Sequence, residues 1–172
     1  MHHPYFVQFL TFFNGNKDYF ECHEVLEDYW KEVAPRDRKH PLTGWIQLAT
    51  GMYHWRRENY KGATTILKKG YATLQLSNDS SFVQNLDYYD VMTNYEHAIL
   101  CAEKALPFQA FDLKIIDVEL KDAVSKEIQG LDRVEPSFLL HKHLLRDRSE
   151  VIASREAALL KRKDADNKRS RH

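Results

Sequence analysis

The chain has 172 residues, of which 43% are hydrophobic and 29% charged, and 25 basic side chains balance 25 acidic ones. This ordinary globular composition excludes a global electrostatic attraction to nucleic acid or to an anionic membrane. The length is sufficient for one domain with a substantial core and argues against two large domains.

Helix signals dominate the first third of the chain. Pro4 suits the first residue of a helix that continues to Phe13, where the Asn- and Gly-containing segment NGNKD ends it. A second helix is predicted over 18–33, because its apolar residues recur at spacings of three and four. A third, over 42–58, is apolar around much of its circumference, so we expect it at the centre of the fold.

Four further segments have helical patterns. They cover 59–76, 87–106, 117–129 and a last helix that begins near Pro136. The segment 108–117 alternates polar and apolar residues too briefly to require a strand, and a strand pair there is left open. The sequence therefore predicts an all-α fold, a multi-helical bundle of about six to seven helices with a core of antiparallel helices.

Two features of the C-terminal part bear on partners. Phe138, Leu145, Ile152 and Leu159 recur every seven residues, a narrow seam that suits packing along another helix, either on the body of the protein or on a second copy. The tail 161–172 has six basic and two acidic side chains and almost no apolar ones, which is typical of a solvated end. A contact between this tail and an acidic partner is the alternative interpretation.

Polar side chains on the second and third predicted helices form the candidate site. His23 and Glu27 are four residues apart and project from one face of the second helix, which Trp30 continues. Gln47 and His54 are seven residues apart and share a face of the third helix. If these helices pack antiparallel, as their short connection favours, the five side chains converge into a polar cluster.

Two interpretations of this cluster stay open. The first is a metal site, in which His23, Glu27 and His54 bind a divalent ion such as zinc or manganese and Glu24 or Glu27 acts as the base toward its water. The HExxE pattern is a weak signal for such a site, since the established zinc motif has a second His where this chain has Glu27. The second is a structural network, in which the buried polar groups satisfy one another and fix the register of the helices.

Two segments of the chain resemble a known family. FNGNKDYFECHEVLEDYWKE and LTGWIQLATGMYHWRRENYKGATTILKKG are similar to the motifs of domain of unknown function 309 (DUF309), a family of bacterial and archaeal helical proteins. The matching positions form three groups: His23, Glu24, Glu27 and Trp30; Gln47, Ala49, Tyr53 and His54; and Asn59, Tyr60, Gly62 and Ala63. Glu58 departs from the pattern, which has Gly there. The resemblance implies a helical bundle with a shared polar cluster and assigns no activity.

The resemblance also suggests a division of the chain. We expect a DUF309-like helical core in residues 1–80 and additional helices in 81–160, which pack on the core or on a partner subunit. The basic segment 161–172 is expected to be a disordered tail.

The sequence supports two classes of function. The first is a protein-interaction or scaffold module with a buried His/Glu cluster, which binds a protein partner or a second copy through the C-terminal helix. The alternative is a metal-dependent, hydrolase-like enzyme that uses His23, Glu27 and His54, and the sequence leaves open whether the chain is an enzyme. Nucleic-acid binding is not favoured, because the aromatic residues beside basic ones, such as Trp55 and Tyr60, suit core positions next to a charged helix edge.

We expect a cytoplasmic location without a membrane span. No apolar run reaches the roughly 18 to 20 residues that cross a bilayer, and the N-terminal sequence MHHPYFVQFL lacks a basic segment followed by a cleavage site. The two cysteines, Cys22 and Cys101, form no CxxC pair and are typical of buried thiols in a reducing compartment.

Overall fold

The computed structural model describes residues 2–145, of which residues 2–140 belong to one compact unit. In the described range there are eight α-helices and a π-helical turn, Phe12–Asn16, which follows the first helix. The helices are α1 (Pro4–Thr11), α2 (Tyr19–Val33), α3 (Pro41–Arg56), α4 (Tyr60–Gln75), α5 (Ser81–Gln84), α6 (Tyr88–Glu103), α7 (Val118–Gln129) and α8 (Pro136–Leu145). None of them has both the length and the apolar composition needed to cross a membrane. The all-α prediction is confirmed.

The segment 108–117, left open between strand and loop, forms no named strand in the described part of the chain. Leu86 and Ile115 make one isolated antiparallel bridge. The backbone N–H and C=O of Leu113 instead bond to the side chain of Asn14, at 2.8 and 2.9 Å. The N–H of Ile116 donates to the carbonyl oxygen of Asn85, and the carbonyl oxygen of Lys114 accepts from the N–H of Asp87. These bonds and those to Asn14 satisfy backbone groups of the segment without a sheet.

Side-chain caps set the starts of three helices that follow loops. The carboxylate of Asp18 accepts a hydrogen bond from the backbone N–H of Glu21 at 3.1 Å, and Asn59 caps α4 in the same way. Asp117, the first residue of the predicted helical segment 117–129, accepts from the N–H of Leu120 at 2.7 Å and caps α7. These bonds satisfy N–H groups of the first turn that have no partner inside the helix.

The turn between α3 and α4 explains the one departure from the family pattern. The third helix is predicted to reach residue 58 but ends at Arg56. Glu58 follows with a φ of 58°, in the left-handed region that glycine enters without steric penalty. A glycine is therefore the natural residue at this turn, and the chain tolerates Glu58 there at some cost in backbone strain.

As predicted, α3 is the central helix, and it packs against α2 and α4. Its two tryptophans are almost completely buried. The indole N–H of Trp45 donates to the carbonyl oxygen of Phe82 at 3.2 Å, and that of Trp55 donates to Leu106 at 2.9 Å. Each ring thus buries a large apolar surface without leaving its polar atom unsatisfied.

Glycines bring α3 and α4 close together in antiparallel orientation. A Cβ added to Gly44 would lie 2.6 Å from a leucine side chain of α4, and one on Gly51 would overlap the side chain of Leu67. A Cβ on Gly70 would overlap the hydroxyl of Tyr95 and lie 2.9 Å from the carbonyl oxygen of Gly44. This side of α3 therefore has no room for added atoms.

Several predictions for the C-terminal part are not tested. Phe138 of the heptad seam is 41% exposed on α8, whereas Ile152, Leu159 and the tail 161–172 lie outside the described residues. The boundary at residue 80 also stays a prediction.

Candidate functional site

Three side chains that can bind a metal ion lie together on α2. Helical spacing places Glu24 beside His23 and Glu27 one turn further on, and one ligand atom from each of the three lies within 4.8 Å of the others. Among the described residues no other group of three or more His, Cys, Asp or Glu residues is this close. All three side chains are partly buried, so they are screened from solvent without being inaccessible.

Glu24 orients the ring of His23. Nδ1 of His23 lies 3.1 Å from Oε1 of Glu24. When Glu24 is ionised, Nδ1 donates this hydrogen bond and Nε2 carries the lone pair. A carboxylate in this position fixes the tautomer of an imidazole and makes its other nitrogen a better metal ligand.

Glu27 is paired with an exposed lysine. Its carboxylate lies 3.4 Å from Nζ of Lys31, which also reaches Asp28 at 3.6 Å. The Lys31 side chain is 55% exposed. Exposed ion pairs of this kind contribute little to stability, so Glu27 can exchange Lys31 for a metal ion with little loss.

Two cavities between α2 and α3 share His23 as a wall. The first, here called the Tyr53 cavity, has a volume of about 160 Å³ and is lined by His23 together with Tyr19, Phe20, Glu24, Thr50 and Tyr53. The second, the Gln47 cavity, has a volume of about 210 Å³ and is lined by His23 together with Glu27, Trp30, Arg38, Thr43, Ile46 and Gln47. The metal-ligand group therefore lies at the junction of two concave spaces.

The walls of the Tyr53 cavity are mainly aromatic. The rings of Phe20 and Tyr53 meet edge to face with centroids 5.9 Å apart. Tyr19 is 1% exposed, and its burial raises the pKa of the phenol, which the Arg56 guanidinium 4.4 Å above the ring only partly offsets. The phenol is therefore neutral, and this cavity offers an apolar surface beside His23 and Glu24.

The Gln47 cavity contains an amide without a partner. The side chain of Gln47 makes no hydrogen bond in the part of the chain that the structure describes, and its Oε1 is shielded from water. The Trp30 indole, in contrast, donates to the carbonyl oxygen of Asp37 at 2.8 Å. Trp30 and Gln47 line this cavity together with His23 and Glu27. The unsatisfied Oε1 of Gln47 differs from a network in which all buried polar groups satisfy one another.

His54 does not join this group. The face of α3 that carries Gly51 and His54 packs against α4, where Gly51 contacts Leu67. Nδ1 of His54 lies 3.1 Å from Nδ2 of Asn59, and burial lowers the pKa of His54, with a further contribution from Arg57. Helical spacing alone does not specify which neighbouring helix His54 meets. The geometry therefore does not support His54 as a ligand beside the two predicted on α2.

Sequence reasoning does not find several residues of the two cavities. Thr43, Ile46, Thr50 and Tyr53 follow one another at spacings of three and four on α3, so the helical period could have identified them as the face toward α2. Arg38 lies in the loop before α3, where no period applies. Only the folded chain brings it to the Gln47 cavity.

A larger cavity lies away from this site. Its volume is about 390 Å³, and it is lined by residues of the π-helical turn, of α7 and of the following loop, including Gly15, Ile128 and Arg133. It contains none of the residues that the sequence predicts for the site. Size alone therefore does not identify the place where these potential ligands converge.

Comparisons with known proteins agree with the resemblance seen in the sequence. The family described as Domain of unknown function (DUF309) matches residues 6–66, a range that includes His23, Glu27 and Gln47. The chain is 34% identical over 165 residues to a protein named "Uncharacterized protein YpuF" from Bacillus subtilis (strain 168), which covers 92% of this chain and 95% of that protein. No solved structure matches the chain.

Proposed function

We propose a function from the site itself, because the chain belongs to the DUF309 family and neither match names an activity. The protein binds a divalent metal ion at His23 and Glu27, with Glu24 beside them as the base, and is a hydrolase-like enzyme. The observation that carries this proposal is the approach of three ligand atoms within 4.8 Å of one another. Imidazole and carboxylate ligands suit zinc or another first-row divalent ion such as manganese.

The electrostatics of the site support the same proposal. Two partly buried carboxylates, Glu24 and Glu27, stand one turn apart, and the exposed Lys31 pairs with Glu27. Like charges in a partly desolvated cleft repel each other, and a divalent cation between them removes that repulsion. His23 contributes the neutral nitrogen ligand that distinguishes such a site from an exposed acidic cluster.

Each side chain has a defined role in this proposal. His23 and Glu27 are the ligands, as the sequence predicts, and Glu24 orients His23 through the 3.1 Å contact with Nδ1. The ion supplies Lewis acidity toward water or a carbonyl oxygen. Glu24 then takes the proton from the attacking water, because its carboxylate already lies beside the ring and next to the Tyr53 cavity.

A zinc titration with a competing chromogenic chelator tests the proposal. Glu27→Gln keeps the size of the side chain and removes its charge, so we expect zinc affinity to fall at least about tenfold. Asp28→Asn is the matched control, since Asp28 is the next residue of α2 and is 61% exposed. Equal affinities of the wild type and Glu27→Gln would contradict the proposal.

An interaction module is the second candidate, favoured by apolar residues at the surface. Ile116 and Val118 flank the cap of α7 and are 55% and 72% exposed. A protein partner or a second copy could cover them, together with the predicted seam of the C-terminal helix. Light scattering on the wild type and on Val118→Lys tests this candidate: it predicts an assembly that the lysine dissociates, and a monomer in both would count against self-association. A cytoplasmic location is part of either proposal.

A further inference from the structure

The two cavities on either side of His23 have the sizes and positions expected of two halves of one ligand site. Each has a modest volume, about 160 Å³ for the Tyr53 cavity and about 210 Å³ for the Gln47 cavity. Together they reach the lower end of the roughly 300–1,000 Å³ typical of small-molecule sites. Because His23 lines both, a ligand that extends through them passes directly over the metal-ligand group.

The Tyr53 cavity selects for an apolar group. Phe20, Tyr53 and Tyr19 supply its aromatic surface, and the hydroxyl of Thr50 is already bonded to the carbonyl oxygen of Ile46 at 2.8 Å. The phenol of Tyr19 is neutral and deeply buried. A flat or branched hydrocarbon group fits the aromatic walls of this space. The Tyr19 hydroxyl, which is buried without a hydrogen-bond partner among the described residues, gains none from such a group.

The Gln47 cavity selects for a different chemistry. The amide oxygen Oε1 of Gln47 is buried without a hydrogen-bond partner in the described range, so it calls for a ligand that offers a donor. An amide group meets that requirement. Arg38, whose guanidinium forms no ion pair among the described residues, adds one positive charge at the rim of the same cavity.

The net charge of the walls limits the charge of the ligand. The charged residues of the two cavities are Glu24, Glu27 and Arg38. Two carboxylates beside one guanidinium repel a polyanion such as a nucleoside triphosphate, whereas a single carboxylate can pair with Arg38 at the end remote from the aromatic walls.

We propose that the Tyr53 cavity and the Gln47 cavity together form a groove that binds an N-acylated amino acid with an apolar acyl group. The acyl group lies in the Tyr53 cavity, the amide lies between His23 and Gln47, and the carboxylate pairs with Arg38. This assignment names a substrate class for the proposed function. Hydrolysis of the ligand rests on the proposed metal site, whereas binding of the ligand does not.

The reaction that fits this placement is hydrolysis of the amide. The oxygen of a water molecule bonds to the carbonyl carbon, and Glu24 takes the proton that the water loses. The C–N bond then breaks, and the proton passes from Glu24 to the leaving nitrogen. The products are a carboxylic acid and a free amino acid, so water is the only co-reactant and no oxidant or reductant is needed.

Calorimetric binding of N-benzoylglycine to metal-free and zinc-loaded full-length protein tests the assignment. Arg38→Gln should weaken binding about tenfold, because it removes the charge that pairs with the carboxylate. The neutral analogue N-benzoylglycinamide should bind Arg38→Gln and the wild type alike. Lys39→Gln is the matched control, since Lys39 is the neighbouring exposed residue and lines neither cavity.

A second variant tests the apolar end. Thr50→Leu fills the Tyr53 cavity and should weaken N-benzoylglycine about tenfold while leaving the smaller N-acetylglycine nearly unchanged. Thr50 is partly exposed, and its hydroxyl bonds only within α3 among the described residues, so the variant is expected to fold. Circular dichroism on the same samples checks that it does.

The outcomes separate this inference from the proposed function. Zinc binding without binding of N-benzoylglycine at millimolar concentration would overturn the ligand assignment and leave the metal site standing. Binding of N-benzoylglycine to a protein that binds no zinc would support the groove and overturn the metal-dependent reaction. Equal losses in Arg38→Gln and Lys39→Gln would overturn the placement of the carboxylate.

Discussion

The two sides of α3 are built in opposite ways. Toward α4, Gly44 and Gly51 let the helices approach until no added carbon fits, and the Tyr95 hydroxyl donates to the carbonyl oxygen of Gly44 at 3.3 Å. Toward α2, the larger side chains of Thr50 and Tyr53 line one cavity, and those of Thr43 and Ile46 line the other. One helix thus supports a closed interface and an open one.

This difference assigns separate tasks to the two interfaces. Close packing of small residues maximises dispersion contacts and fixes the position of α3. The interface with α4 therefore contributes to stability. The open interface gives up such contacts and presents His23, Glu24 and Glu27 to a concave space. Because its contacts with α4 fix α3 in place, α3 can hold the side chains that face α2 in a defined position.

The largest effect on stability is expected from adding an atom to the tightly packed interface between α3 and α4. Gly70→Ala places a carbon against the hydroxyl of Tyr95 and 2.9 Å from the backbone oxygen of Gly44, so α4 must move. We expect a loss of about 2 to 3 kcal/mol in the free energy of unfolding, measured by chemical denaturation.

Gly130→Ala is the control for that substitution. Its added carbon would lie 3.6 Å from the carbonyl oxygen of Glu127, an ordinary contact distance. The expected change is within about 0.5 kcal/mol. Similar losses in the two variants would mean that the α3–α4 interface is not as closed as described.

An intermediate effect is expected from His54, which belongs to the tight side. His54→Ala removes the contact with Asn59 and should cost about 1 kcal/mol well above pH 6.5, with metal affinity unchanged. Burial lowers the pKa of His54 below its ordinary 6.5, so the unfolded chain binds the proton more readily. The contribution of neutral His54 is therefore complete above pH 6.5 and is lost as the pH falls toward the lowered pKa.

Denaturation curves of the wild type and His54→Ala across this pH range measure that loss. The stability difference between them should shrink as the pH falls. A difference that grows on acidification would contradict the assignment of His54 to a desolvated position at the α3–α4 turn.

The smallest effect is expected at the turn between α3 and α4. Glu58→Gly relieves the left-handed conformation at a φ of 58° and should raise the free energy of unfolding by up to about 1 kcal/mol. Glu58→Ala retains a Cβ and should give no comparable gain. Equal stabilisation by both variants would show that the side chain, not the backbone, is responsible.

The sequence predicts the fold more completely than the site. Helices α2, α3 and α4 have apolar residues at the helical period, and the caps Asp18 and Asn59 mark the starts of α2 and α4, so local chemistry is sufficient. The single-turn helix α5 is too short to show a period. Gly44 and Gly70 carry no side chain and give no periodic signal, although they decide which face of α3 meets α4.

The site divides in the same way. His23 and Glu27 lie on one helix, where a spacing of four residues determines their proximity. His54 and Gln47 lie on another, and their distance from α2 depends on the rotation of α3, which the glycine contacts with α4 set. Arg38 lies in a loop, so helical periodicity cannot predict its position relative to the site.

The most direct test of the central claim is the metal content of untagged protein purified without a chelator, measured by elemental mass spectrometry. The wild type and His54→Ala should carry near-stoichiometric zinc or manganese, and His23→Ala should carry none, which also controls for His2 and His3. No bound metal in the wild type, before and after addition of either ion, or equal metal in His23→Ala, would contradict a metal site on the open side of α3.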